Sequence, residues 1–253
     1  MSKHIRHGRC SVRPYVYGNL DLPEFVREVF GAKEIEHHDY PNGGAHIEAE
    51  IGDSMIVLEA AKTFPPNSGV TKNSIYVYVE DVDAAYQRAL ESGATSIGAP
   101  EKKPYQERAC SVKDSFGNIW YISTYVGAGA GKYIRNDCGC ARPYVYGRRD
   151  LLSFVKTVFG ADELELNAVA GGFHVEYRIG DSVLIAVGMD PPYSEATLSS
   201  IYAYVPDVDA TYKRALENGA TSIAPPEVKP YQERQCGVKD SFGNTWWIST
   251  HVS

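Results

Sequence analysis

The chain has 253 residues, of which 43% are hydrophobic and 23% charged, and a formal net charge of -7. A chain of this length can bury one large core or two ordinary ones. No apolar run approaches the length of a membrane span, and no secretion signal follows the first residues, so we expect a cytoplasmic protein without a membrane partner. The acidic balance argues against nucleic acid as a partner, because phosphate binding requires a basic face.

The first predicted elements are a strand, a helix and three further strands. The helix begins near Asp21, has one apolar face and ends at Gly31. Turns that contain glycine separate the later strands. In chain order, the predicted strands are Val12–Gly18, Glu34–Asp39, His46–Ile51 and Ser54–Ala60.

The same order of elements follows a loop at Lys62–Asn73. A helix capped by Asp81 or Asp83 ends at Gly93, and a hairpin turns at Asp114–Asn118. The strands predicted around them are Ser74–Glu80, Thr95–Ile97, Tyr105–Lys113 and Ile119–Thr124.

A long internal repeat then shows that one fold unit was duplicated. Lys103–Thr124 reads KPYQERACSVKDSFGNIWYIST, and Lys229–Thr250 reads KPYQERQCGVKDSFGNTWWIST. The second half contains a strand at Arg142–Tyr146 and a helix that ends at Phe159, and its predicted later strands are His174–Gly180, Ser182–Val187 and Ser200–Pro206. We therefore predict two domains, residues 1–126 and 140–253, joined by a Gly-rich linker at 127–139.

This pattern resembles the vicinal oxygen chelate superfamily, which includes glyoxalase I, ring-cleaving dioxygenases and bleomycin resistance proteins. The resemblance is carried by Ser200–Asp209, Arg214–Gly219 and the turns Asp114–Asn118 and Asp240–Asn244, and it covers nearly the whole chain. It implies an α+β fold of four strand-helix-three-strand (βαβββ) units, which form two tandem glyoxalase-like domains. Their mixed sheets are curved into cups, with the helices outside and the ligand inside. Because this fold hosts many activities, the resemblance does not imply one of them.

The resemblance also implies where a metal would be held in the metal-dependent members. Those ligand positions fall in this chain at Ser74 and Ser200, Tyr121 and Trp247, and Glu59 and Val187. A divalent ion needs several convergent oxygen and nitrogen ligands, which Glu59 alone cannot supply. We therefore expect no metal and no other cofactor. The cysteines are expected to be reduced and mostly structural, since Cys138-Gly-Cys140 lacks a second ligand pair.

Strand alternation predicts which side chains face away from the helices. In the strand that begins at Ser74, the apolar Ile75 and Val77 should pack on the helices, so Tyr76 and Tyr78 should face a ligand. On the other strands the rule gives the same inward direction to Tyr15, Tyr17, His46, Glu48, Tyr144, Tyr146, His174, Glu176, Tyr202 and Tyr204. The ligand positions of the superfamily that the chain resembles add Glu59, Tyr121 and Trp247. Together with Tyr76 and Tyr78, these aromatic, acidic and histidine side chains form the predicted binding set.

Two functions are compatible with this set. The first is a metal-free small-molecule binding protein, similar to drug-binding antibiotic resistance proteins, which sequesters an aromatic or cationic compound. Ring faces stack on flat ligands and attract cations by about 0.5–2 kcal/mol each. Because such proteins usually pair two chains, this chain would be a monomer equivalent to a fused dimer. A third possibility is that the tyrosines are ordinary half-buried sheet residues with no ligand.

The second function is a glyoxalase-like lyase or isomerase, metal-independent or with rearranged ligands. His46 or His174 would be its base, since histidine titrates near neutrality. In the repeated Tyr-Gln-Glu-Arg motif, Glu107 and Arg108 must face opposite sides, and a structural salt bridge is the favoured interpretation. The pair His37-His38 is unmatched in the second half, so we predict that it faces solvent.

Overall fold

The computed structural model describes residues 3–41, 43–64, 70–127, 134–135, 138–190 and 198–252. Within these residues the chain forms two mixed sheets of eight strands and four α-helices. The elements follow one another as four modules, each a strand, a helix and three strands, as the repeat predicts. None of the helices in the described part of the chain is long and apolar enough to cross a membrane.

The modules have nearly equal elements. The first contains β1 (Val12–Gly18), α1 (Leu22–Phe30), β2 (Lys33–Asp39), β3 (Ala45–Ile51) and β4 (Ser54–Ala60). The second contains β5 (Ser74–Tyr78), α2 (Val82–Glu91), β6 (Thr95–Lys103), β7 (Glu107–Lys113) and β8 (Ile119–Tyr125). The third contains β9 (Ala141–Arg148), α3 (Asp150–Phe159), β10 (Asp162–Val169), β11 (Gly172–Ile179) and β12 (Ser182–Met189). The fourth contains β13 (Ser200–Tyr204), α4 (Val208–Glu217), β14 (Thr221–Lys229), β15 (Glu233–Lys239) and β16 (Thr245–His251).

The chain divides into two compact lobes. Residues 14–142 form the central lobe, and residues 1–13 with 143–253 form the terminal lobe. The strand orders in the central lobe are β1-β4-β3-β2 and β5-β8-β7-β6, and those in the terminal lobe are β9-β12-β11-β10 and β13-β16-β15-β14. The predicted domain limits at 126 and 140 stay a prediction, and most of the predicted linker lies outside the described residues.

Several predicted boundaries were wrong by a few residues. β5 ends at Tyr78 rather than Glu80, β7 begins at Glu107 rather than Tyr105, and β6 extends to Lys103 rather than Ile97. The four predicted modules imply β10 and β14, but their bounds were not predicted. β6 and β10 are mostly exposed along their length and each lies at one end of a sheet among the described strands, and their sequences lack the apolar alternation of an inner strand.

The core of each lobe lies between the helices and the sheets. In the central lobe, Trp120 is fully buried and its ring lies 5.8 Å from Phe25 and 5.0 Å from Phe30 on α1. In the terminal lobe, the fully buried Trp246 lies 4.6 Å from Phe159 on α3. Each burial of such a ring removes apolar surface from water and fixes the helix on its sheet.

The repeated Asp-Ser-Phe-Gly-Asn turns fix the strands that carry the site. Asp114 Oδ1 accepts the backbone N–H groups of Phe116, Gly117 and Asn118 at 2.8–3.0 Å. Its Oδ2 accepts the indole N–H of Trp120 at 3.0 Å, and Asn118 Nδ2 donates to the carbonyl of Tyr17 at 2.9 Å. One carboxylate therefore holds the turn, the core tryptophan and, through Asn118, strand β1.

The five cysteines are free thiols, and Cys138 is the one that is not buried. Burial raises the pKa of Cys110 and of Cys236 to about 12. Both thiols therefore stay protonated near neutrality, and the expectation that they are structural agrees with their surroundings.

Candidate functional site

The strand faces were assigned correctly by alternation. Ile47, Ala49 and Ile75 belong to the core that contains the helices. His46 and Tyr76 alternate with them and lie on the opposite sheet face. Predicted binding residues therefore lie on the sheet faces that are turned away from the helices, and six of the fifteen contact one of three glutamates.

The first of these glutamates is Glu59 on β4, which is 6% exposed. Its Oε1 accepts the hydroxyl of Tyr15 at 2.6 Å and lies 2.6 Å from His46 Nδ1. Its Oε2 accepts the hydroxyl of Tyr40 at 2.9 Å. Strand pairing explains the contact between His46 and Glu59, because His46 on β3 lies directly opposite Glu59 on β4. We refer to Tyr15, Tyr40, His46 and Glu59 as the Glu59 cluster.

The electrostatics of the Glu59 cluster favour a charged imidazole. Burial lowers the pKa of His46, but the hydrogen bond and the charge of Glu59 outweigh it, so that the net pKa is raised. Burial first, and the charge of Glu59 second, raise the pKa of Tyr15 well above its ordinary value. Tyr15 is therefore a hydroxyl donor at any physiological pH.

Aromatic rings surround this carboxylate. The Tyr15 ring lies 5.3 Å from Tyr17, and Phe64 meets Tyr17 edge-on at 5.5 Å. Tyr15 and His46 are half-buried, and Tyr40 is 39% exposed. The Glu59 cluster therefore combines a nearly buried acceptor with ring faces that solvent can reach.

The corresponding region of the terminal lobe lacks the carboxylate. The rings of Tyr144 and Tyr146 lie 5.0 Å apart, and His174 lies 5.8 Å from Tyr144. In the strand pairing, however, His174 lies opposite Val187, which stands where the central lobe has Glu59. Val187 therefore occupies the position from which Glu59 contacts His46 in the central lobe. Both lobes therefore have tyrosine and histidine rings at this place, and they differ because Val187 replaces the charged Glu59.

The second and third glutamates, Glu107 and Glu233, were not in the predicted binding set. Glu107 is 2% exposed and accepts the hydroxyls of Tyr76, of Tyr78 at 2.8 Å and of Ser123 at 2.6 Å. We call this group the Glu107 cluster.

The Glu233 cluster repeats the arrangement in the terminal lobe. Glu233 accepts the hydroxyls of Tyr202, of Tyr204 at 2.7 Å and of Ser249 at 2.6 Å. The repeated Tyr-Gln-Glu-Arg motif and strand alternation were the signals that could have identified both glutamates.

These two clusters change the interpretation of four predicted residues. Tyr76, Tyr78, Tyr202 and Tyr204 are buried and donate their hydroxyls to a glutamate of the protein. Burial, followed by the charges of neighbouring groups that include Glu107 or Glu233, raises the pKa of Tyr76 and of Tyr202 well above the ordinary value. Ligand contact by these residues stays a prediction, and their hydroxyls serve the fold.

The arginines of the repeated motif lie on the other side, as the salt-bridge interpretation requires. Arg108 pairs with Asp83 on α2 at 2.6 Å, and Arg234 pairs with Asp209 on α4 at 2.6 Å. All four side chains are substantially exposed. Such pairs contribute little to stability, because water screens them.

Two fully buried arginines were missed by the sequence reasoning. The guanidinium of Arg142 lies 4.7 Å from the ring centroid of Tyr78, and that of Arg13 lies 4.8 Å from Tyr204. Each sits at an equivalent position in the repeated Arg-Pro-Tyr-Val-Tyr sequence. The repetition of this sequence was the signal that could have identified both arginines.

The predicted residues on β8 and β16 have different surroundings. Tyr121 stacks on Tyr76 at 6.2 Å, with 18° between the ring planes. Trp247 is half-buried and lies opposite Tyr202 in the strand pairing. Its ring passes over Gly237, where an added Cβ would lie 2.6 Å from the indole. Glycine at position 237 therefore leaves the space that the indole of Trp247 occupies.

The remaining acidic positions of the predicted set are buried, and the histidine pair is exposed. Glu48 and Glu176 are buried at 5% and 3% exposure. His37 is exposed, as predicted, and its ring nitrogens contact Glu34 at 3.0 Å and Asp39 at 3.1 Å.

A cavity of about 360 Å³ lies on the helix side of the central lobe, between α1 and strands β2, β3 and β4. Predicted binding residues do not line it. The charged groups at the cavity pair with one another, since Arg27 contacts Glu24 and His37 contacts Glu34. We therefore assign no function to this cavity.

Comparison with protein families identifies the fold family. The model of the Glyoxalase/Bleomycin resistance protein/Dioxygenase superfamily matches residues 23–122 and 150–248. The chain belongs to this superfamily. Each match lies in one half of the chain and includes two helices.

The relatives support the fold and not an activity. Uncharacterized proteins of Mycobacterium bovis and Mycobacterium tuberculosis are 33% identical to the chain over 108 residues, which is 39% of this chain and 71% and 64% of theirs. The crystal structure of glyoxalase I from Zea mays is 16% identical, with a TM-score of 0.67, and covers 94% of this chain and 92% of that chain. At this identity the likeness concerns the fold alone.

The residues at the superfamily's metal positions do not suit a divalent ion. The central lobe offers Ser74, Tyr121 and Glu59, and both oxygens of Glu59 already accept hydrogen bonds from side chains. The terminal lobe offers a serine, an indole and Val187. The two sets contain no imidazole and a single carboxylate, that of Glu59, whereas such an ion needs several convergent ligands of these kinds.

Proposed function

We propose that this protein binds a small aromatic or cationic molecule, without a metal, and holds it rather than transforms it. The observation that carries the proposal is Glu59, a nearly buried carboxylate beneath half-buried rings. A ligand cation above the Glu59 cluster would meet both the carboxylate and the rings of Tyr15 and Tyr40. Cation–ring attraction in such a place contributes about 0.5–2 kcal/mol for each ring.

The difference between the lobes refines the proposal. The terminal lobe presents Tyr144, Tyr146 and His174 without a carboxylate at Val187. This face suits an aromatic surface without a positive charge. A sequestering protein with these two unlike binding faces would bind two compounds that differ in charge. Alternatively, each face would bind a different part of similar compounds.

A metal-independent enzyme is the second candidate, and one contact favours it. Glu59 lies 2.6 Å from His46 Nδ1, which is the arrangement by which a carboxylate orients a catalytic histidine. The raised pKa of His46 makes it a stronger base but leaves less of it unprotonated near neutrality. Binding is therefore the better supported function.

Dye titration tests the proposal. Wild type, Glu59→Gln and the exposed-site control Glu91→Gln are titrated with ethidium, a planar cation, and with 8-anilinonaphthalene-1-sulfonate, a planar anion. We expect Glu59→Gln to weaken ethidium binding about tenfold, which corresponds to about 1.4 kcal/mol, without weakening binding of the anion. Equal ethidium affinity in all three proteins would contradict the proposal.

Recovery of the dye separates the two candidates. Chromatography should return the bound dye unchanged after long incubation. Conversion by wild type but not by a His46→Gln variant would instead establish the enzyme.

A further inference from the structure

We propose that the Glu107 and Glu233 clusters are binding sites for a guanidinium group, and that Arg135 and Arg6 of the chain itself occupy them. A small guanidine-bearing ligand would enter by displacing the arginine side chain. This inference does not rest on the Glu59 cluster, which involves other residues.

The contacts of Arg135 are those of a guanidinium site. Its Nε donates to Glu107 Oε1 at 2.9 Å, and its Nη2 donates to the carbonyl of Tyr105. Its guanidinium carbon lies 5.2 Å from the ring centroid of Tyr125 and 6.0 Å from that of Tyr105. A carboxylate, a carbonyl and two rings match the planar, five-donor shape of this cation.

The negative charge of the buried Glu107 carboxylate requires a positively charged partner. The three hydroxyls that donate to Glu107, from Tyr76, Tyr78 and Ser123, are neutral. They satisfy three acceptor positions of the carboxylate without balancing its charge. Arg135 supplies both the fourth hydrogen bond and the positive charge, and a buried carboxylate needs both.

The terminal lobe repeats the site more loosely. Arg6 is the sequence equivalent of Arg135, and both follow an isoleucine that is buried. Arg6 Nη1 donates to the carbonyl of Tyr231 at 3.2 Å and lies 3.7 Å from Glu233 Oε1. The same carboxylate, tyrosine carbonyl and arginine therefore recur in the terminal lobe.

The backbone near Arg135 is anchored independently of its side chain. The buried Arg142 donates to the carbonyls of Arg135, Cys138 and Gly139. Asp53 accepts the backbone N–H groups of Gly139 at 2.9 Å and Cys140 at 2.7 Å. The Arg135 side chain, 14% exposed where that of Glu107 is 2%, can therefore leave without unfolding the segment that carries it.

The direct test uses agmatine, a small guanidine-bearing amine, with putrescine as the amine that lacks a guanidinium. We expect agmatine to bind Arg135→Ala at least tenfold more tightly than wild type by calorimetry, because wild type must first release its own arginine. Arg108→Ala removes an equal charge from the surface pair with Asp83 and should bind agmatine as wild type does. Equal agmatine affinity in all three proteins, or equal binding of putrescine, would overturn the proposal.

A second measurement needs no variant and covers the case in which Arg135→Ala fails to fold. In wild type labelled with 15N arginine, agmatine should move the Nε–H resonances of Arg6 and Arg135 to positions typical of solvated side chains. Resonances that stay unchanged in the presence of excess agmatine would show that both arginines are permanent structural partners. Ethidium binding at the Glu59 cluster should be unaffected by agmatine, so the two proposals can fail separately.

Discussion

Trp246 and Trp247 are neighbours in sequence and lie on opposite faces of β16. Trp246 is fully buried between the sheet and α3, and its indole N–H donates to Asp240 at 3.1 Å. Trp247 is half-buried on the other face, above Gly237. Because side chains alternate along a strand, Trp246 packs in the core and the adjacent Trp247 lies on the face predicted to bind a ligand.

Alanine substitution should separate the contribution of Trp246 to stability from the contribution of Trp247 to binding. Trp246→Ala should lower the free energy of unfolding by about 3–5 kcal/mol, because it leaves a cavity against Phe154 and Phe159. Trp247→Ala should keep the fold and weaken dye binding by about 1–3 kcal/mol, which is typical of a lost stacking face. Urea denaturation and dye titration measure the two effects. A destabilised Trp247→Ala with an unaffected Trp246→Ala would show that the faces are inverted.

The ion pair of His46 and Glu59 should make stability depend on pH. Because the pKa of His46 is raised in the folded protein, its contribution is fully present below the ordinary value of 6.5 and is lost as pH rises through the raised pKa. The difference in unfolding free energy between wild type and His46→Gln should therefore shrink from pH 5.5 to pH 8.5. An NMR titration should show a lower pKa of His46 in Glu59→Gln. A His46 pKa at or below 6.5 in wild type would be the contrary result.

At the scale of elements, the hairpin turns explain why the repeat is so long. Asp240 accepts the N–H groups of Phe242, Gly243 and Asn244 as well as the Trp246 indole, in the same geometry as Asp114. Gly243 has a φ of 113°, a conformation that other residues rarely adopt. The turn sequence is thus constrained by hydrogen bonds and backbone geometry that act together.

Loss of the turn carboxylate should be costly. Asp240→Ala leaves buried donors without an acceptor, and each such donor costs about 1–3 kcal/mol. We expect a clear drop in melting temperature for Asp240→Ala and almost none for the control Ser241→Ala, whose side chain is exposed. Similar melting temperatures for the two variants would show that water replaces the carboxylate.

At the scale of the whole molecule, we expect the purified protein to contain no stoichiometric divalent metal. The motivating observation is the set of side chains at the superfamily's ligand positions, above all Tyr121, Trp247 and Val187. Elemental analysis by mass spectrometry measures this directly. About one zinc, nickel or iron ion per chain would contradict the expectation and would favour the enzyme over the binding protein.

The division into lobes was only partly predictable. The repeat correctly indicated four modules in two halves, because identical segments fold alike. It did not indicate that residues 1–13 lie with residues 143–253, or that Arg6 and Arg13 reach the fourth module there. Those contacts join the two ends of the chain, and no local pattern encodes such a distant pairing.

The sequence by itself determined the modules, the superfamily and the faces of the inner strands that carry the predicted aromatic residues. These follow from local rules: glycine at the turns, apolar spacing in helices, and alternation in strands. Only the tertiary structure decided which polar groups meet. Glu59 reaches His46 and Tyr15, and Glu107 reaches Tyr76 and Arg135, because strands distant in sequence lie side by side. A side chain's direction is set by its own strand, whereas its partner is set by the neighbouring strand, and that neighbour is chosen by the packing of the whole lobe.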